Sequence, residues 1–87
     1  MRIRNADDLG HYLRDRRRAA GLTQTDLAAR ARVSRRWLSG LEAGKPTAEV
    51  GLVLKVIAAL DMILDLQPLP HQDIDLDELL DNLGGTA

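Results

Sequence analysis

Apolar residues recur at three-to-four spacing through four successive stretches of the chain, each opened by a capping residue and closed by glycine or a turn. Leu9, Leu13 and Ala20 keep one stripe along a first helix, which Asn5 caps with Asp8 three residues on and Gly21 ends. Thr23 is the N-cap of a second helix starting at Gln24, with Leu27, Ala28 and Ala31 as its buried face. Ser34 caps a third helix that buries Leu38 and Leu41 and stops where Gly44 takes a left-handed conformation. After a turn at Lys45 and Pro46, Thr47 caps a fourth helix running to about Leu60. Val50, Leu52, Val53, Leu54, Val56, Ile57 and Leu60 make it apolar nearly all round, and such a helix is buried on every side. The other short helices can cover one face only, so the pattern predicts that the opposite face meets a second copy of the chain.

The period then changes. Met62 to Gln67 reads as a short strand, halted by Pro68 and Pro70. A lone strand cannot satisfy its own backbone groups, and the sole other candidate is the weak Arg2 to Arg4 segment. Antiparallel pairing with a symmetry mate resolves this. The expected homodimer interface is therefore Leu52, Val56 and Leu60 on the fourth helix with Met62, Ile63, Leu64 and Leu66 on the strand. From His71 onward the chain is acidic, and Ile74, Leu76, Leu79, Leu80 and Leu83 outline a short amphipathic helix before Gly84 and Gly85. The predicted architecture is an all-α domain with one short strand over residues 1–70, followed by an acidic tail over residues 71–87.

Within that frame the second and third helices are joined by a tight turn, and the third carries Arg35, Arg36 and Ser39 away from its buried face. This is the pattern of a DNA-binding helix-turn-helix. Net charge over all 87 residues is −1, which alone argues against a polyanionic partner. The charges are segregated, however. Residues 1–45 hold eleven Lys/Arg against five Asp/Glu, a net of +6, while residues 46–87 hold Lys55 against eight acids, a net of −7. A basic half and an acidic half imply two different partners, the first of them a polyanion. The chain has no cysteine, and His11 and His71 lack metal-ligand spacing, so neither metal nor other cofactor is expected. No nucleophile, histidine or carboxylate pair stands in a catalytic arrangement, which argues against an enzyme. There is neither a signal-peptide run nor a membrane span, and the expected location is the cytoplasm.

Arg17 four residues before Gly21, the triplet Leu22 to Gln24, the pair Leu27 and Ala28, Val33 with Ser34, and the closing Leu41, Glu42, Gly44 and Lys45 together resemble the Cro/phage-repressor (XRE) helix-turn-helix family over roughly Asp8 to Leu60. The short strand after helix four and the compact length are similar, within it, to HipB-type antitoxins, small repressors that partner a HipA-type serine/threonine kinase toxin. The resemblance implies that Gln24, with Thr25 beside it, contacts DNA from the start of helix two. It implies that Ser34, Arg35 and Arg36 face base edges and phosphates, and that Lys45 and the backbone amides after the third helix hold phosphate. It assigns Arg17 and Glu42 to an internal salt bridge.

Two positions depart from that family. Arg32 stands in the turn where glycine is usual, at a cost on the order of 1 kcal/mol for a left-handed non-glycine residue. Gly40 replaces a longer polar side chain, which concentrates base reading on Arg35 and Arg36. Trp37 has two open readings, core packing over helix two or contact with a sugar or thymine methyl. The implied function is a sequence-specific repressor that binds a palindromic double-stranded operator as a homodimer and acts as antitoxin of a HipA-type kinase, autoregulating its operon. A free-standing repressor and a protein-interaction adaptor on the same fold are the alternatives.

Overall fold

The computed structural model describes residues 2–69 and 75–83, which form five helices: α1 (Ala6–Ala19), α2 (Gln24–Ala31), α3 (Arg35–Glu42), α4 (Val50–Ala59) and α5 (Leu76–Asn82). The first three start where short polar side chains meet orphaned amide groups. Asn5 Oδ1 accepts from Asp8 N at 2.8 Å, Thr23 and Asp26 satisfy each other's amides at 3.0 Å, and Ser34 Oγ accepts from Trp37 N at 3.0 Å. They end in left-handed residues, Gly21 at φ 73°, Arg32 at φ 59° and Gly44 at φ 90°. Leu13, Leu27, Leu38 and Val56, one from each of α1 to α4, are fully buried and meet in a single core with Ala28, Ala31, Leu41 and Ile57.

The buried face of α1 is rotated from the expected stripe. It consists of Gly10, Leu13 and Arg17, while Leu9 is half-buried and Ala20 is exposed. Backbone proximity sets this register. A Cβ at Gly10 would lie 2.8 Å from the Glu42 carbonyl oxygen and closer still to that of Leu41, so glycine lets α1 lie directly on the end of α3.

Helix α4 starts two residues later than expected. Thr47 sits in a turn and caps nothing, and Glu49 occupies the N-cap position without a side-chain hydrogen bond. Only Val56 and Ile57 of α4 are buried, and Val50 is 71% exposed, so within one chain this helix is not enclosed on every side. Val56 also leaves the expected dimer surface. It is the deepest α4 residue, packed into the core of its own chain, and offers nothing to a second copy. Leu52, Leu60 and Met62 are half-buried, and Ile63, Leu64 and Leu66 are exposed.

Met62 to Gln67 is not a strand in the single chain. Beyond Met62 N, which closes α4 on the Ile57 carbonyl, this segment makes no backbone ladder with any described residue. The physical reason is that no second strand pairs with it among the described residues: Arg2–Arg4 borders the same groove but forms no backbone hydrogen bond with it. The expected tail helix exists as α5, where Asp75 Oδ1 accepts from Asp77 N at 2.9 Å. The expected boundary at residues 70–71, together with Asp73 and Ile74, lies outside the described residues.

Candidate nucleic-acid interface

Helix α3 is divided lengthwise by its own sequence. Leu38 and Leu41 anchor it in the core, whereas Arg35, Arg36 and Ser39 are exposed on the opposite side. At 100° per residue, Arg35, Ser39, Ala43 and Arg36 span the outward arc, bordered by Glu42 on one flank and Gly40 on the other. Ser34 fixes the first turn, so both arginines project from the end of the helix where unpaired backbone amides favour anions. Neither guanidinium has a hydrogen-bond partner among the described residues.

The Glu42 flank is held by a buried junction of α1, α2 and α3. Arg17 Nε donates to Glu42 Oε2 at 2.8 Å and Arg17 Nη2 to Oε1 at 2.9 Å, a planar two-point match between guanidinium and carboxylate. Arg17 Nη1 also donates to the Leu22 carbonyl at 2.9 Å, and Gln24 Nε2 to Glu42 Oε1 at 3.2 Å. Burial pushes the Glu42 carboxyl up, but the hydrogen bonds from Arg17 and Gln24 outweigh it and hold the group below the ordinary glutamate range. The same hydrogen bond raises Arg17, against the opposing effect of burial. With both charges matched, the junction is a rigid strut that fixes α3 relative to the end of α1 and the start of α2.

Residues 8–69 match the family described as helix-turn-helix domain. The chain is a member of that family. Among curated proteins it is 42% identical over 65 residues to the uncharacterized HTH-type transcriptional regulator y4mF of Sinorhizobium fredii (strain NBRC 101917 / NGR234), covering 75% of this chain and 86% of that protein. No solved structure matches it.

The remaining candidate residues of this helix-turn-helix unit fall into two groups. Thr25 and Lys45 are exposed, and Lys45 lays its stem beside Gly40, its Cδ 3.7 Å from where a Cβ would stand. The backbone amides of Gly44 and Lys45 are not free for phosphate, because they donate to the Leu41 and Gly40 carbonyls at 3.0 Å and close α3. The Lys45 ammonium has no ion-pair partner among the described residues. Gln24 and Trp37 are half-buried: Gln24 commits one amide donor to Glu42, and Trp37 packs against the core. Arg32 is exposed in the left-handed conformation, its N–H donating to the Ala29 carbonyl at 3.2 Å. Gly10 escaped the sequence reading because a glycine carries no hydropathic signal, although it sets the α1–α3 contact that carries the site. No helix among the described residues is long and apolar enough to cross a membrane.

Proposed function

We propose that this chain is a sequence-specific DNA-binding transcriptional regulator, a repressor of the XRE type, that places the N-terminal half of α3 in the major groove. One observation carries the reading: Arg35, Arg36 and Ser39 stand unpaired on the outward arc of a helix whose other side is locked into the core. Arginine recognises guanine O6 and N7 as a bidentate pair, worth about 1 to 3 kcal/mol of discrimination. Gln24, Ser34 and Lys45 border this arc and, with the exposed Thr25, serve as backbone contacts, and Trp37 supports the helix from beneath. The y4mF relative, itself named as a transcriptional regulator, supports the same class.

The regulator acts as a two-fold homodimer on a palindromic operator with half-site centres about 34 Å apart. Exposed Val50, Leu54, Ile63, Leu64 and Leu66 support a second copy against α4 and the Met62–Gln67 segment, because a lone soluble chain rarely leaves so many large apolar side chains in water. Antiparallel pairing of that segment across the dimer would satisfy its free backbone groups. Footprinting tests the reading. Two protected half-sites are expected; Arg36→Ala relaxes preference at one position per half-site, while Lys45→Ala weakens all duplexes about equally. A single asymmetric half-site, or equal losses on operator and random DNA for both variants, refutes it.

Similarity to HipB-type antitoxins extends the proposal to a protein partner, a HipA-type serine/threonine kinase toxin that the regulator neutralises while repressing its own operon. The acidic half supports this, since Asp75, Asp77, Glu78 and Asp81 repel DNA and Leu76, Leu80 and Leu83 are exposed beside them. Purification of the native complex and mass spectrometry decide the matter. Recovery of a kinase is expected, and recovery of the regulator alone favours a free-standing repressor.

A further inference from the structure

Leu76, Leu79, Leu80 and Leu83 are the same side chain repeated along one short helix, yet they differ in exposure. Leu76, Leu80 and Leu83 are 56%, 51% and 57% exposed, whereas Leu79 is half-buried, as is Asn82. At about 100° per residue, Leu79 and Asn82 lie on one side of α5, about 90° round from the centre of the other three leucines. That side meets the rest of the chain. Leu79 borders a groove of about 650 Å³ that is lined by Leu9 and Tyr12 of α1, Val53 and Ile57 of α4, and the flanking segments 2–4 and 62–68. A helix of seven residues standing alone in water is marginal, because too few hydrogen bonds offset the cost of nucleating it. Its helicity therefore depends on that contact.

Charge and tether single out α5 as the occupant. The charged residues lining the groove are Arg2 and Arg4 against Asp65, and residues 75–83 carry four acids and no base, so the two attract. Pro68 on the groove and Leu76 are eight residues apart, a span of at most about 28 Å, which holds α5 there at an effective concentration on the order of millimolar. Among the described residues, none that lines the groove belongs to α2 or α3. We propose that this groove is the docking site of the chain's own tail helix, anchored by Leu79, and that docking keeps the acids of α5 from Arg35 and Arg36. The second half rests on α3 being the DNA-reading helix. An undocked tail competes with phosphate for those arginines, as an acidic segment tethered to the same chain.

The test compares the full chain with Leu79→Ser and Leu80→Ser, two variants of identical composition and charge that differ in the direction of the lost side chain. In wild type, nuclear Overhauser contacts are expected from the Leu79 methyls to side chains lining the groove, and isotope filtering of a mixture of labelled and unlabelled chains places them within one chain. Leu79→Ser is expected to lower the ratio of docked to undocked tail about tenfold and to lose the helical Cα shifts of α5. Leu80→Ser keeps those shifts. Trp37, the sole tryptophan and packed on the core, keeps its emission in both, which shows the domain folded. By fluorescence anisotropy on a duplex of about 30 base pairs, Leu79→Ser binds severalfold more weakly than Leu80→Ser at low salt, and the gap closes as KCl screens the tail. Helical shifts lost equally in both variants or in neither, or methyl contacts that run only between chains, overturn the docking. Equal duplex affinities despite a melted α5 overturn the protection of Arg35 and Arg36. If wild type binds no duplex at low salt, the proposed function falls, while the shifts still decide where α5 docks.

Discussion

Replacing Glu42 by alanine removes the acceptor of three hydrogen bonds, from Arg17 Nε, Arg17 Nη2 and Gln24 Nε2, at the point where α1, α2 and α3 meet. Arg17 is 8% exposed and would keep only its bond to the Leu22 carbonyl, leaving a guanidinium largely buried without a counter-charge. Breaking a buried pair from one side costs about 3 to 5 kcal/mol. The retained Leu22 bond places this case at the low end, about 3 kcal/mol, which in a domain of this size lowers the melting midpoint by roughly 12 to 24 °C. Removing both charges, as Arg17→Met with Glu42→Leu, is expected to cost less than Glu42→Ala alone, because no unpaired ion remains inside. Circular dichroism at 222 nm under heating, and urea titration at one temperature, give the numbers. A Glu42→Ala protein that melts within about 4 °C of wild type refutes the argument. So would a double variant whose loss equals the sum of the two single losses, because the charges would then not be coupled.

The remaining predictions concern the same framework. Gly10→Ala is expected to destabilise by about 1 to 3 kcal/mol, since the new methyl meets two backbone carbonyl oxygens that cannot yield; a stabilised variant would mean that helix propensity alone governs the position. Arg32→Gly is expected to raise the melting midpoint by a few degrees, because it removes the left-handed strain of about 1 kcal/mol, and a lower midpoint argues against that strain. In acid, Glu42 supplies stability that is fully present above the ordinary glutamate pKa of about 4.3 and is lost as pH falls through its depressed folded value. Urea titrations from neutral to acid pH are expected to show that loss in wild type, with a shallower decline in Glu42→Ala; identical profiles would remove Glu42 from the linkage.

Local chemistry was legible in the chain before any fold was known. Asn5, Thr23 and Ser34 cap their helices, and Gly21 and Gly44 end theirs, through contacts within a few residues, so composition and spacing alone determine them. The left-handed Arg32 and the split of α3 into an anchored side and an arginine side are local in the same sense. Tertiary structure decided whatever depends on distant backbone. Gly10 turns the α1 face toward α3 by permitting contact with carbonyls some thirty residues away, roughly nine turns of chain that no periodicity links. Val56 belongs to the core and not to a dimer surface because Leu13, Leu27 and Leu38 converge on it, although hydropathy ranks it no higher than Val50, which stays in water. The Gly44 and Lys45 amides, which the resemblance set against phosphate, donate instead to the carbonyls that end α3. Met62 to Gln67 has strand-forming side chains but no ladder, because β structure is a property of two segments and, among the described residues, the neighbouring Arg2–Arg4 segment makes no backbone hydrogen bond with it.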